Sequence, residues 1–145
     1  MRPELVITET PDADMRKAIL DPLVAYNDRH FVEPDAHRPL AIPIRDSSGQ
    51  AVIGGLWGES WYRWLFINLL IVPESMRGIG IGKAMMKLAE EEAIRRDCIG
   101  IWLDTFSFQA RPFYEQLGFE LFGTIEDFPP GHSRHFLRKV LLKAR

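Results

Sequence analysis

The chain has 145 residues, 46% of them hydrophobic and 26% charged, enough to bury a continuous core without disulfide staples. Its formal net charge of −2 and pI of about 6.1 argue against a nucleic-acid partner, which would call for a basic surface. Cys98 is the single cysteine, so no disulfide framework exists and a reducing compartment is allowed.

Nothing in composition marks a boundary, and the expectation is one domain over residues 1–145 with no internal repeat or charge block. The N-terminus lacks the apolar core of a secretory signal. The longest apolar run, residues 64–72, is interrupted by Asn68 and is too short to span a bilayer. A cytoplasmic protein with no membrane partner is expected. Cys98 lies in an apolar stretch and reads as a buried core thiol.

In chain order, Leu5 and Ile7 suggest a short strand ended by Pro11. Asp12 or Asp14 can cap a helix carrying Met15, Ala18 and Ile19. Asp21-Pro22 then reads as a second cap with proline at the first helical position, so two short helices with a break near Asp21 are predicted. Residues 40–45 and 50–56 are β-type runs around the turn cluster Ser47, Ser48 and Gly49, which is a hairpin. Trp57, Trp61, Tyr62 and Trp64 surround Gly58-Glu59-Ser60, read as a further strand turn. Rings at this density either pack a sheet face or wall a pocket that holds an amine through cation–π contact.

Residues 64–72 form the next strand, which stops at Pro73. After the link to Arg77, Gly78, Gly80 and Gly82 alternate before a helical pattern begins. With no side chains over that backbone, successive N–H groups can converge on one anion, joined by the unpaired donors of the helix's first turn. Such a loop holds phosphate. A nucleoside triphosphate loop is excluded, because Arg77 stands where its first glycine belongs and Ala84 follows Lys83 where a hydroxyl is needed. The dinucleotide fingerprint fails as well, since Lys83 or Met85 occupies its third glycine position. In the helix, Ile81, Met85, Leu88, Ala89 and Ala93 recur at helical spacing, and Lys83, Lys87, Glu90 and Glu91 face water.

Residues 99–105 read as a buried strand and residues 109–117 as a short helix stopped by Gly118. Residues 119–122 lead into a final strand pair closed by residues 134–142. Between them, Glu126 to His132 forms a stiff acidic loop that either lines a substrate mouth or is a solvated hairpin connection.

Arg77-x-x-Gly80-x-Gly82 resembles the pyrophosphate-binding motif of the GNAT superfamily of acetyl-CoA-dependent N-acetyltransferases. Downstream, Ser107, Ala110, Tyr114, Glu115, Leu117, Gly118 and Phe119 resemble that family's second coenzyme-facing element, N-x-x-A-x-x-x-Y-E-x-L-G-F. The resemblance implies an α/β (α+β) fold: a mixed, mostly antiparallel sheet of six to seven strands, splayed at its central strands and flanked by about four helices. It implies acetyl-CoA as cosubstrate and no metal.

The resemblance also implies roles. Backbone groups at Leu70, Ile71 and Val72 would meet the thioester. Arg77, Gly78, Ile79, Gly80, Ile81, Gly82 and Lys83 would hold the pyrophosphate, and Ser107, Ala110 and Phe113 would contact the coenzyme. Tyr114 would protonate the leaving thiolate. The chain departs from the family in two places: the link from Pro73 to Arg77 is one residue longer than the common P-x-x-R, and Ser107 stands where asparagine is usual. In the family the first helical pair overlies the acceptor, so Tyr26, Asp28, His30 and Glu33 become candidates for acceptor contacts.

The expected reaction is direct transfer of acetyl to the primary amine of a small molecule in a ternary complex. A non-catalytic acyl-CoA sensor, or a protein lysine or N-terminal acetyltransferase, are the alternatives. A homodimer is allowed. An alkylamine has a pKa of about 10, so only about 0.1% is neutral at pH 7 and its proton must be taken up. Glu59, Asp104, Glu126 and Asp127 are the carboxylates in view, none in a motif, and residues 64–68 carry none; no base is assigned. Transfer through Cys98 conflicts with its apolar flanks.

Overall fold

The computed structural model describes residues 1–31 and 36–141, in two compact units, Met1–Pro34 and Asp35–Arg145. In the first unit, α1 runs as one helix over Ala13–Asp28, capped by Asp12, whose carboxylate accepts the Met15 N–H at 2.8 Å. The predicted break near Asp21 does not occur. Pro22 sits inside the helix, giving up one backbone hydrogen bond, and Asp21 pairs with Lys17 one turn back instead of capping. The predicted strand at Leu5 and Ile7 is not formed either. Among the described residues this unit has no other strand, so the segment has no ladder partner. Glu33 lies outside the described residues, as does Leu142 at the end of the last predicted strand.

The second unit is a six-stranded sheet in the order β1-β2-β3-β4-β6-β5. Its strands are β1 (Arg38–Arg45), β2 (Val52–Trp61), β3 (Trp64–Ile71), β4 (Gly100–Phe106), β5 (Glu120–Glu126) and β6 (Ser133–Val140). Every neighbouring pair is antiparallel except β3 and β4. Helix α2 (Ile81–Arg95) crosses between those two parallel strands, and α3 (Arg111–Gln116) joins β4 to β5. The fold is therefore the expected mixed sheet; among the described residues it carries three α-helices, where about four were expected, and a short 3-10 turn at Glu74–Met76.

The Ser47-Ser48-Gly49 hairpin forms as expected, but Gly58-Glu59-Ser60 is not a turn: β2 runs straight through it. A β-carbon on Gly58 would lie 2.4 Å from the Phe66 carbonyl oxygen, so this glycine permits close strand approach. The chain reverses one step later at Tyr62 and Arg63, both left-handed (φ 49° and 65°), between the paired Trp61 and Trp64.

One face of this sheet packs on α2. Leu56, Leu65, Ile67, Ile101, Leu103 and Leu137 from the strands meet Met85, Met86, Ala89 and Ala93 from the helix, with Cys98 at 1% exposure beside them. The apolar stripe is rotated from the sequence expectation. Met86 is buried and Leu88 is 52% exposed, because the Met85–Ala89–Ala93 row advances around the helix by about 40° at each step, which brings its centre toward Met86 and away from Leu88. Arg96, just past the helix, fastens it to the sheet by donating to the carbonyls of Arg38 (2.9 Å) and Pro39 (3.0 Å) and to Ser60 Oγ (3.1 Å).

Candidate functional site

The central feature is where β3 and β4 part. Their parallel pairing covers Trp64–Gly100 through Ile67–Leu103 and then ends. At the same point the register of β3 against β2 slips: Trp57 pairs with Leu69 and Gly58 with Ile67, leaving Asn68 as the extra, bulged residue. A bulge bends and twists its strand, which turns the remainder of β3 away from β4. The gap widens into a cleft of about 1080 Å³. That suits a cofactor-sized ligand.

Asn68, Leu69, Leu70, Ile71 and Val72 line one wall, and Leu103, Asp104, Thr105 and Phe106 line the other. The glycine loop closes one end. Gly78 (φ 83°) and Gly80 (φ 85°) are left-handed, a conformation that suits residues without a β-carbon. The Arg77 Nε donates to the Val72 carbonyl at 3.0 Å, pinning the loop to the end of β3. Gly80 occupies the N-cap position of α2, where no side chain of the described residues caps the helix, so its first-turn N–H groups can meet an anion.

Helix α3 lies beside that loop, with the Phe113 ring against Gly82. Gln109 Oε1 accepts from the Phe106 N–H (2.8 Å) and from Thr105 Oγ1 (3.1 Å), folding the chain back over the end of β4. Gln109, Ala110, Phe113 and Tyr114 then face the cleft. Tyr114 is 9% exposed. Burial, and secondarily the charge of Asp104, push its phenol above the ordinary tyrosine value of 10.0, so at neutral pH it holds its proton and can donate it.

Of the residues expected to hold the coenzyme, Leu70, Ile71, Val72, Arg77, Gly78, Gly80, Ile81, Gly82, Lys83, Ala110 and Phe113 converge on this cleft together with Tyr114. Ile79 and Ser107 are not part of its wall. Ile79 is 73% exposed, and Ser107 is engaged with Ser133, accepting its N–H at 3.0 Å through the hydroxyl and donating its own N–H to the Ser133 carbonyl at 2.8 Å. Serine in place of the usual asparagine thus ties the β4 end to the start of β6.

Tyr26, Asp28 and His30 belong to the first unit. None of Trp57, Trp61, Tyr62 and Trp64 lines the cleft; Trp61 stacks between His37 (4.3 Å) and Tyr62 (4.2 Å) on the strand surface. Sequence reading did not single out Asn68, Phe106, Phe108 or Gln109 as cleft residues. For Asn68 the signal was present, as a lone amide breaking an apolar run. The others depend on how β4 and α3 pack.

The carboxylates also separate. Glu59 pairs with His37 (3.1 Å), Glu126 accepts from Ser133 Oγ (2.8 Å), and Asp127 accepts from the Gly131 N–H (3.4 Å); none of these lines the cleft. Asp104 does. Among the described residues no cluster of His, Cys, Asp and Glu is arranged to hold a metal, and no helix is long and apolar enough to cross a membrane.

Comparison with known proteins agrees with this geometry. The model of the acetyltransferase (GNAT) family matches residues 7–119. An acetyltransferase of Agrobacterium fabrum is 43% identical over 134 residues, covering 92% of this chain and 96% of its own. The blasticidin-S acetyltransferase of Streptomyces morookaense is 37% identical over 107 residues, covering 72% of this chain and 79% of its own. A crystal structure of an acetyltransferase-family protein from Agrobacterium tumefaciens superposes with a TM-score of 0.87 at 40% identity, covering 95% of this chain and 99% of that one. A family whose model spans most of the chain and relatives of this identity give one conclusion: the chain belongs to the GNAT acetyltransferase family and is an acyltransferase.

Proposed function

We propose that the protein transfers the acetyl group of acetyl-CoA directly to the primary amine of a small molecule, with both substrates bound at once. The observation that carries this reading is the cleft opening where β3 and β4 part, with a phosphate-type loop at one end and a protonated tyrosine in its wall.

Acetyl-CoA fits with its pyrophosphate on the amides of Gly78 to Lys83 and the helix α2 N-terminus, and its pantetheine arm between β3 and α3. Beyond Ile67 the β4-facing edge of β3 has no strand partner, so main-chain N–H groups around Leu70 to Val72 are available to the thioester carbonyl. One well-placed oxyanion donor is worth about 3 kcal/mol of barrier. The neutral amine attacks the carbonyl carbon, the C–S bond breaks, and Tyr114 supplies the proton that the thiolate takes. Cys98 is buried and is not a cleft residue, which favours direct transfer over an acyl-enzyme.

A small-molecule acceptor is favoured by the blasticidin-S acetyltransferase relative, whose name gives what that enzyme acetylates. The test is a thiol-release assay with acetyl-CoA and a panel of small primary amines, beside lysine-containing and free N-terminal peptides. Turnover with small amines is expected. Turnover confined to peptides would overturn the acceptor class, and tight coenzyme binding with no transfer would overturn the reaction.

A further inference from the structure

We infer that Asp104 is the carboxylate that receives the acceptor's ammonium group and takes up its proton, so that the acceptor is selected as a cation. This rests on the reading above.

Position comes first. Asp104 directly follows Leu103, the last residue of β4 that pairs with β3, so it stands at the apex of the gap, where β3 swings away. Among the described residues of the cleft wall it is the one acidic side chain. Leu103 and Thr105 are buried on the helix side of the sheet, and by strand alternation Asp104 points to the opposite side. The glycine loop sits at the N-terminus of α2, on the helix side. A coenzyme held there and a carboxylate on the other side of the gap place donor and acceptor on opposite sides of one opening.

The environment of Asp104 is also constructed. Arg134 gives both of its contacts to a single oxygen, Nε at 3.0 Å and Nη2 at 2.9 Å from Oδ1. Among the described residues Oδ2 accepts no hydrogen bond, although the side chain is only 17% exposed. Arg134 is in turn fixed by three rings, its guanidinium lying 4.9 Å from the Phe128 ring centre, 5.4 Å from Phe136 and 5.8 Å from Phe106. A guanidinium held by aromatic faces and one carboxylate oxygen cannot swing round to cover the second. Oδ2 is left as a fixed, partly buried acceptor, and such an acceptor suits a charge-assisted N–H donor.

The step balances as follows. The ammonium gives one proton to Oδ2, and the free amine attacks the thioester carbon. As the C–S bond breaks, the thiolate takes the Tyr114 proton. The second nitrogen proton replaces it on Tyr114, and the proton on Asp104 passes to solvent, for a net release of one.

The experiment compares wild type with Asp104→Asn, using the best amine of the panel and acetyl-CoA, and measures coenzyme affinity by calorimetry. Asp104→Asn is expected to lower kcat/KM for the amine about a hundredfold, with coenzyme affinity unchanged. Asp104→Glu, which restores the carboxylate, should recover part of the loss. Turnover of Asp104→Asn within about threefold of wild type would overturn the inference and leave the acetyl-transfer reading intact. Absence of wild-type turnover with every amine would instead remove that reading. Should the Asn variant not fold, wild type inhibited by the isosteric neutral alcohol decides: inhibition about tenfold weaker than by a competing amine is expected, and equal potency would overturn the inference.

Discussion

A β-carbon placed on Gly82 would stand 3.3 Å from Cζ of Phe113, so the first turn of α2 and the first turn of α3 meet ring-to-backbone at the end of the cleft. In the proposed binding mode this contact sets the width available to a pantetheine arm. Gly82 is not left-handed, and its side faces Phe113 and Val72, both cleft residues.

Gly82→Ala should therefore divide stability from binding. Alanine in a helix is favoured over glycine by up to about 1 kcal/mol, while the Phe113 ring must retreat by a few tenths of an ångström. The expected result is an unchanged or slightly raised melting temperature with coenzyme affinity reduced about tenfold, read by calorimetry. Unchanged affinity would show that the Gly82–Phe113 gap does not limit the ligand.

Gly80 makes a different demand. A β-carbon there would meet nothing within 4 Å, yet its φ of 85° is unfavourable for side-chain-bearing residues. Gly80→Ala should cost about 1–2 kcal/mol and weaken coenzyme binding as the loop relaxes, whereas Gly80→Asn, which tolerates this conformation better, should lose less of both. Equal losses in the two variants would place the effect in lost space and not in backbone strain.

Tyr114→Phe removes the phenol and leaves the ring packed against Phe113 and Phe119. The maximal rate should fall about a hundredfold with coenzyme affinity retained. The same variant has a signature in alkali. The folded-state pKa of Tyr114 is raised, so its contribution to stability is fully present below the ordinary value of 10.0 and is lost as pH rises through the folded value. Thermal melts carried above that value should fall more steeply for wild type than for Tyr114→Phe; parallel curves would show that burial does not hold the proton.

Arg96 anchors the C-terminal end of α2 through the Arg38 and Pro39 carbonyls, Ser60 and Glu92. Its hydrogen bond to Glu92 is the leading cause that keeps that carboxyl below its usual value of 4.5. Arg96→Ala should destabilise the fold by about 2–4 kcal/mol in chemical denaturation, because it strips several acceptors at once. A loss no larger than that of an exposed surface substitution would show that water replaces the guanidinium.

The parts legible before any folding are those that depend on residues near one another in the chain. Alternating glycines after an apolar run specify a left-handed, side-chain-free loop, and the Met85–Ala89–Ala93 spacing specifies a helix lying on a sheet. Tyr114 and Gly118 were marked by their spacing in a motif. Where β3 leaves β4 depends on strand pairing, because a bulge is a count of residues on one strand against another, and Asn68 becomes the extra residue only when Gly58 is seen beside Ile67. The same holds for Asp104. Four carboxylates were equivalent in the sequence, and strand pairing together with the placement of Arg134 among three rings set one of them at the apex of the gap with an oxygen that accepts no hydrogen bond among the described residues.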